Sequence, residues 1–111
     1  MEEKTIYFVK LWINPEASER FFDWLNTSHF ADVVALPGFL WGRMIALEAS
    51  NEDGWPAYMM MYGVESREAL EAYFKSDAPA GFAKERQELD LDEHLRFERD
   101  IGAPAKFLQS R

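Results

Sequence analysis

The sequence contains no cysteine, and this absence excludes disulfides, thiolate nucleophiles and thiolate metal ligands. Histidine is nearly as scarce, because the chain has only two, His29 and His94. Two histidines so far apart are a weak metal signal, and the acidic run from Glu88 to Glu93 lacks the spacing and turn glycine of a calcium loop. Glycine-rich phosphate loops and a serine nucleophile elbow are also missing. We therefore expect no metal and no cofactor.

Basic residues are the minority, with 12 Lys and Arg against 20 Asp and Glu, for a formal charge of -8. Such a charge repels nucleic acid and anionic lipid surfaces, so neither is expected as a partner. No stretch approaches the roughly twenty apolar residues of a membrane span. The start, Met1 to Lys4, lacks the basic-then-apolar layout of a secretory signal. We expect a cytoplasmic protein.

The chain is rich in large apolar side chains, which make up much of its 48% hydrophobic content. Nine Phe, four Trp and four Tyr are more than a disordered chain would carry. At 111 residues the length suits one core and not two. We expect a single domain over residues 1–111, with a core at about 4–100 and a C-terminal extension at 101–111.

Four segments have the β-branched and aromatic composition of strands. They lie at Lys4–Ile13, Phe39–Glu48, Ala57–Glu65 and about His94–Arg99. Gly42 is a possible bulge in the second, and the turn residues Asn51 to Gly54 favour a hairpin between the second and third. The first and third strands are apolar on both faces. Such strands need cover on both sides, and in so short a chain the second cover is expected from another subunit.

Two helical stretches separate these strands. Capping and proline signals at Asn14-Pro15-Glu16 begin the first, which should run to about Ala35. Ser66 begins the second, which breaks at Asp77-Ala78-Pro79 and resumes at about Ala80–Glu88. The order strand, helix, strand, strand, helix, strand predicts an α+β, ferredoxin-like βαββαβ fold with an antiparallel four-stranded sheet.

His29 is the most informative polar residue, because it lies on the apolar stripe of the first helix between Leu25 and Val33. Asp32 is near enough to orient or charge its ring. A functional interpretation makes His29 a general base or acid in an apolar pocket, with a pKa near neutrality. The alternative is a core histidine satisfied by a backbone carbonyl or a tyrosine.

Arg43 interrupts the apolar second strand, on the face that we assign to Phe39 and Trp41. A buried arginine needs an anion, which could be a substrate carboxylate or enolate, or the side chain of Glu98. Tyr62 could hydrogen-bond a substrate carbonyl, although a tyrosine at a core edge is also explained by packing.

The methionine run at residues 59–61 supplies adaptable side chains on both faces of the third strand. Met60, Trp41 and Phe22 could form the wall of a hydrophobic pocket, with Tyr7 and Asp32 as further substrate contacts. Core or interface packing is the competing explanation for the methionines.

The chain resembles a known family at several of these points. Trp24-Leu25, His29, Val33-Val34 and Gly38-Phe39 are similar to the "WL...H...V...GF" signature of an uncharacterised bacterial family in the dimeric α/β barrel superfamily. The resemblance continues through Tyr58–Tyr62, the helix at Ser66–Ala78 with Tyr73, and the closing strand, and covers about Thr5–Asp100. More distant relatives include EthD-like proteins and antibiotic biosynthesis monooxygenases.

The resemblance implies a homodimer whose two sheets pack face to face, with a pocket between sheet and helices in each subunit. We therefore expect a cofactor-independent enzyme that performs acid/base chemistry on a hydrophobic, aromatic or polyketide-like carbonyl compound. His29, Tyr62 and Arg43 would be its catalytic residues. The alternatives are a non-catalytic dimer that binds a ligand or a protein partner, and a cofactor-free monooxygenase. A common cavity bordered by His29 and Tyr62 would favour an enzyme.

Overall fold

The computed structural model describes residues 2–110 of the chain. Its strands and helical stretches follow the predicted order. The strands are β1 (Thr5–Ile13), β2 (Phe39–Ser50), β3 (Pro56–Val64) and β4 (Leu95–Gly102). They form a four-stranded sheet in the order β2-β3-β1-β4, and every neighbouring pair is antiparallel. The predicted α+β, ferredoxin-like fold is confirmed.

The first helical stretch begins where the sequence predicts. The Asn14 side chain accepts a hydrogen bond from the Glu16 N–H at 3.1 Å, and Pro15 occupies the first helical position. The stretch consists of four consecutive segments. A 3-10 turn at Pro15–Ala17 leads into helix α1 (Ser18–Trp24), and a π-helical turn at Leu25–His29 leads into helix α2 (Phe30–Val34). It is therefore helical almost as far as predicted, but it is not one regular α-helix.

The second helical stretch is divided into α3 (Arg67–Lys75) and α4 (Ala78–Glu88). Ser66 caps α3 as predicted, because its Oγ accepts from the Ala69 N–H at 3.0 Å. The predicted break is present, but α4 resumes at Ala78 and not at about Ala80. Proline is tolerated in the first turn of a helix, so Pro79 does not delay its start.

Strand β4 differs from its predicted bounds at both ends. His94 belongs to a short 3-10 turn, and β4 begins at Leu95. Its far end continues to Gly102 because the pairing with β1 extends to the Ile6–Gly102 pair. Residues 103–110 follow as an exposed segment.

The helices cover one face of the sheet. On β1, Tyr7, Leu11 and Ile13 are buried in a core that also contains Phe21 from α1 and Leu70 from α3. The alternate residues of β1 point to the opposite face and are only partly buried. We call that second side the outer face, and its apolar members include Ile6, Phe8, Trp12, Trp41, Ile45, Met59 and Met61. The prediction of strands that are apolar on both faces is thus confirmed.

A register irregularity near the start of β2 changes which residues share a face. The pairing shifts between Phe39 and Trp41, so Phe39 packs in the core against Tyr62 while Trp41 lies on the outer face. Arg43 is also on the outer face, opposite Met61, and it is exposed. The assignment of Phe39 and Arg43 to one face is therefore wrong, and so is the expected burial of Arg43 within this subunit.

Gly42 is needed for close packing rather than for the bulge, which precedes it. A Cβ atom at Gly42 would collide with the side chains of Phe30 and Val34 on α2. The absence of a side chain here allows α2 to lie directly on β2, which brings the end of the first helical stretch close to the sheet.

Candidate functional site

A cavity of about 240 Å³ lies between the helix-covered face of the sheet and the helices. Tyr7 and Tyr62 line it from the sheet, His29 from the first helical stretch, and Arg86 from α4. Most of the remaining lining is aromatic or aliphatic. His29 and Tyr62 thus border a common cavity, somewhat smaller than the roughly 300–1,000 Å³ of sites for drug-sized ligands, which is the arrangement expected of a pocket for a small ligand or substrate.

The π turn brings the side chains of Trp24 and His29 together. The two residues are five positions apart, and in an α-helix, which turns by about 100° per residue, they would point in different directions. A π turn closes on the fifth residue, as shown by the Phe30 N–H, which donates to the Leu25 carbonyl. The rings of Trp24 and His29 stack with their centroids 4.0 Å apart and 12° between their planes.

Helix α4 holds this stacked pair from the other side. The Trp24 Nε1 donates a hydrogen bond to Glu85 Oε1 at 2.9 Å. Phe82, one turn earlier on α4, meets the imidazole of His29 edge-on, with 4.5 Å between the ring centroids. The orientation of His29 therefore depends on contacts from two helices.

His29 has a low basicity in this environment. Burial, followed by the positive charge of Arg86, lowers the pKa of His29 from 6.5 to about 4. Its Nδ1 is buried and has no hydrogen-bond partner among residues 2–110. This pKa is lower than the near-neutral value that we expect from the sequence. The imidazole of His29 is therefore uncharged at neutral pH.

Three tyrosines contribute phenol groups to the cavity: Tyr7, Tyr62 and Tyr73. Burial raises the pKa of each, that of Tyr73 to about 12. Arg99 acts in the opposite direction on Tyr7 and Tyr73. All three hydroxyls keep their protons at neutral pH and can donate a hydrogen bond to a ligand oxygen.

Two arginines supply the positive charge of the cavity, Arg86 from α4 and Arg99 from β4. Their guanidinium carbons lie 5.4 Å and 4.9 Å from the centroid of the same ring, Phe97. Arg86 Nε is 3.6 Å from Asp92 Oδ1, which is longer than a hydrogen bond. Burial lowers the pKa of Arg86, the charge of Asp92 opposes this, and the like charge of Arg99 adds to it.

The structure brings together only some of the residues predicted from the sequence. Tyr7, His29, Met60 and Tyr62 line the cavity. Four others do not line it, namely Phe22, Asp32, Trp41 and Arg43.

The four residues outside the cavity differ in where they lie. Phe22 packs beside the core against Phe21 and Tyr58, and Asp32 is exposed on α2. Trp41 and Arg43 are on the outer face, with the sheet between them and His29. Within this subunit Arg43 therefore cannot take the electrostatic role predicted for it beside His29 and Tyr62.

Arg86 and Arg99 are the cations at the cavity, and the sequence interpretation did not select them. A signal for each was present. Arg99 is two residues after Phe97, so strand alternation places both on the helix-covered face. Arg86 is four residues after Phe82, so both share one side of α4.

Among residues 2–110, no group of three or more His, Asp or Glu side chains is placed to hold a metal ion. The helices of that same part of the chain are all too short or too polar to cross a membrane.

A protein-family model matches most of the chain. The model of the family described as Domain of unknown function (DUF4286) matches residues 4–97. Among curated protein sequences, none matches the chain.

Solved structures with the same fold are numerous, and three are informative. A dimeric ferredoxin-like protein from an uncultured marine organism is 18% identical, with a TM-score of 0.68 and coverage of 97% of this chain and 100% of that one. An EthD family protein from Bacillus halodurans is 17% identical, with a TM-score of 0.63 and coverage of 91% and 99%. A monooxygenase from Streptomyces coelicolor, in complex with nanaomycin D, is 18% identical, with a TM-score of 0.63 and coverage of 98% and 94%.

These similarities confirm the relationship expected from the sequence. The family is one of unknown function, and EthD-like proteins and a monooxygenase are among its structural neighbours. At such low sequence identity the neighbours share the fold, which by itself does not select a reaction.

Proposed function

The chain belongs to the DUF4286 family, and from that premise we propose that it is a cofactor-independent enzyme that moves a proton on a hydrophobic carbonyl compound. The substrate is an aromatic or polyketide-like molecule. The observation that carries the proposal is the arrangement of a neutral imidazole, phenol donors and guanidinium groups around one cavity of about 240 Å³. Such an arrangement combines a proton acceptor with stabilisers of a developing oxyanion.

His29 is the base in this proposal. Its neutral imidazole accepts a proton from a carbon next to the substrate carbonyl, and the electron pair of the broken C–H bond forms an enolate. Although the pKa of His29 is about 4 in the free protein, an enolate beside the ring favours the protonated imidazole. Return of the proton to a different carbon completes an isomerisation. In a cyclisation, the enolate carbon attacks a second carbonyl carbon of the same molecule, the π bond of that carbonyl opens to an alkoxide, and the alkoxide takes the proton from the imidazolium of His29.

The enolate oxygen is stabilised by the other polar groups of the cavity. Tyr62 and Tyr7 remain protonated at neutral pH, so each can donate a hydrogen bond to the oxygen. Arg86, whose charge already reaches His29, takes the electrostatic role that the sequence suggests for Arg43.

The working unit in this proposal is a homodimer that associates through the outer face. That face carries the partly exposed side chains of Phe8, Trp12 and Trp41, which this chain's helices do not cover, and contiguous apolar surface of this kind often marks an interaction site. The name of a structural neighbour, a dimeric ferredoxin-like protein, supports the same association. Face-to-face packing of two sheets would bury these side chains and leave one cavity in each subunit.

A cofactor-free monooxygenase is the second candidate. The similar fold of the Streptomyces monooxygenase bound to nanaomycin D supports it. The first step would be the same, because deprotonation gives an electron-rich anion. That anion would then add O2 to form a C–O bond, and loss of water from the resulting hydroperoxide would leave a carbonyl group, so that the substrate supplies the electrons for oxygen reduction. Oxygen consumption with candidate phenols separates this activity from proton transfer alone.

Hydrogen exchange in deuterated water tests the proposal directly. We expect the protein to accelerate loss of the α-hydrogen NMR signal of aromatic β-dicarbonyl compounds. The His29→Gln variant should lose this acceleration by roughly 10²-fold or more, whereas His94→Gln should keep it. His94 is the appropriate control because it lies outside the cavity, near Asn14.

Two results would contradict the proposal. One is a folded His29→Gln protein with unchanged exchange. The other is wild-type protein that accelerates exchange of no compound in the panel, while still binding its members, which would leave a non-catalytic ligand-binding protein.

A further inference from the structure

We infer that the cavity recognises a carboxylate, held by Arg86 and Arg99, on a ligand whose aromatic body lies against Tyr7 and Tyr62. The inference rests on the proposed function for the identity of the cavity as the substrate site. It goes further by naming the class of substrate, a small aromatic monocarboxylate.

The first support is the charge of the cavity. Two guanidinium groups line it, and Asp92 is the carboxylate within 4.0 Å of one of them. No carboxylate among residues 2–110 lies within that distance of Arg99. Both arginines line the cavity, whereas no aspartate or glutamate is among its lining residues. The chain as a whole has a formal charge of -8, so a cavity lined by two cations and no carboxylate departs from its general composition.

The second support is that the two guanidinium groups lie beside the same ring, Phe97, where their like charges repel each other. Both guanidinium carbons lie about 5 Å from the centroid of the Phe97 ring. The positive charge of Arg99 is close enough to lower the pKa of Arg86. The Nε of Arg86 is buried and makes no hydrogen bond to any described residue. A carboxylate between the groups would relieve the repulsion and accept hydrogen bonds from their N–H groups.

The charges and the size of the cavity together favour a small carboxylate ligand. Asp92 lies beside Arg86, whereas Arg99 has no carboxylate within 4.0 Å among residues 2–110, so one carboxylate group on the ligand suits the site. The volume of about 240 Å³ is below the roughly 300–1,000 Å³ of sites for drug-sized ligands, which suits one or two rings.

The walls favour an aromatic body. Tyr7 and Tyr62 present nearly parallel rings, with centroids 6.2 Å apart and 30° between planes. Phe74 meets Tyr7 edge-on at 5.4 Å, and Trp24 closes the side next to His29. Flat apolar surfaces of this kind stack well on a ring. Arg99 is itself exposed, so the carboxylate end of the ligand would lie where the cavity meets solvent.

Calorimetric titration of the full chain with 2-naphthoate and with 2-naphthamide tests the inference. The two probes have nearly the same shape, and only the first has a charge. We expect the wild-type protein to bind naphthoate at least tenfold more tightly than naphthamide. Arg99→Gln should weaken naphthoate binding about tenfold and change naphthamide binding by less than about twofold. Arg86→Gln should act in the same direction.

The matched control is Arg67→Gln. Arg67 is an exposed arginine on α3 that pairs with Glu71, so its replacement changes the total charge equally but leaves the cavity intact. Arg86 is partly buried, so Arg86→Gln could fail to fold. Arg99→Gln, at an exposed position, would still test the inference in that case. Equal affinity for the acid and the amide would overturn the inference, and so would equal losses in Arg99→Gln and Arg67→Gln.

The two proposals can fail separately. Selective, arginine-dependent binding of naphthoate without any α-hydrogen exchange would retain the carboxylate site and remove the proposed reaction. Exchange of neutral carbonyl compounds that is insensitive to Arg99→Gln would retain the reaction and remove the carboxylate site.

Discussion

The imidazole of His29 stacks on the indole of Trp24 with 4.0 Å between the ring centroids, although the two residues are five positions apart on one helical stretch. The stack depends on the π turn and on Glu85, which accepts a hydrogen bond from Trp24. The position of the candidate base is thus determined by a residue of α4 that does not itself line the cavity.

Replacement of Glu85 tests this dependence. Glu85→Ala leaves the Trp24 N–H without its acceptor, and we expect a loss of about 1–3 kcal/mol in the free energy of unfolding, measured with urea. We also expect lower α-hydrogen exchange activity, since the ring of His29 loses its support. Glu85→Gln keeps an acceptor oxygen and should restore most of both. The control is Glu88→Ala, because Glu88 is exposed and lies one turn later on α4. If Glu88→Ala lost as much stability and exchange activity as Glu85→Ala, a positioning role for Glu85 would be contradicted.

The low pKa of His29 predicts how stability depends on pH. The unfolded chain binds a proton near pH 6.5 and the folded chain only near 4, so the unfolded state holds more protons between these values. The free energy of unfolding should therefore fall as the pH decreases through this window, by about 2–3 kcal/mol from His29 alone. Urea denaturation at several pH values should show this slope reduced in His29→Gln and retained in His94→Gln. Identical slopes in wild type and His29→Gln would contradict the burial of a neutral imidazole.

The outer face predicts a charge-sensitive association. Phe8→Glu places a carboxylate on that face, between Met61 and Asp100 of the neighbouring strands, and we expect it to weaken dimerisation by at least about 100-fold in sedimentation equilibrium, because burying an unpaired charge is costly. Leu89→Glu is a matched control, since Leu89 is a partly exposed apolar residue that follows α4, away from the outer face. If the wild-type protein stayed monomeric at high concentration, the proposed dimer interface on the outer face would be wrong.

Two glycines should respond oppositely to alanine. At Gly42 the new methyl group would collide with Phe30 and Val34, so we expect Gly42→Ala to destabilise the protein by about 1–3 kcal/mol. At Gly81, within α4, a Cβ would meet no atom within 4 Å, and Gly81→Ala should stabilise by about 0.4–1 kcal/mol. Thermal denaturation followed by circular dichroism distinguishes them. A Gly42→Ala protein as stable as wild type would show that α2 does not need this close approach to the sheet.

The order of strands and helices was predictable from the sequence because it depends on local patterns. Asn14 and Ser66 cap helices where their neighbours suggest, and the alternation along β1 identifies two apolar faces. The side on which the helices pack is not a local property. Sequence alternation predicts Arg43 at the site, whereas the structure places it on the outer face, because the register shift between Phe39 and Trp41 has no local sequence signal.

The cavity was only partly predictable for the same reason. His29 and Tyr62 are recognisable because each is a polar group in an apolar pattern. Arg99 and Arg86 look like ordinary surface charges in a segment with many charged residues, and they meet only when α4 is packed beside β4. The π turn is also invisible in the apolar spacing, which fits a regular helix.

The π turn also makes the site sensitive to the length of the chain. It contains one residue more than an α-helical turn, so a single deletion within Leu25–His29 would let the stretch relax into a regular α-helix. The residues after the deletion would keep their packing on the sheet, while the ring of His29 or the ring of Trp24 would rotate away from the other. The insertion or deletion of a single residue in this turn could thus create or remove the stack of the histidine and tryptophan rings, without any change in the order of the strands.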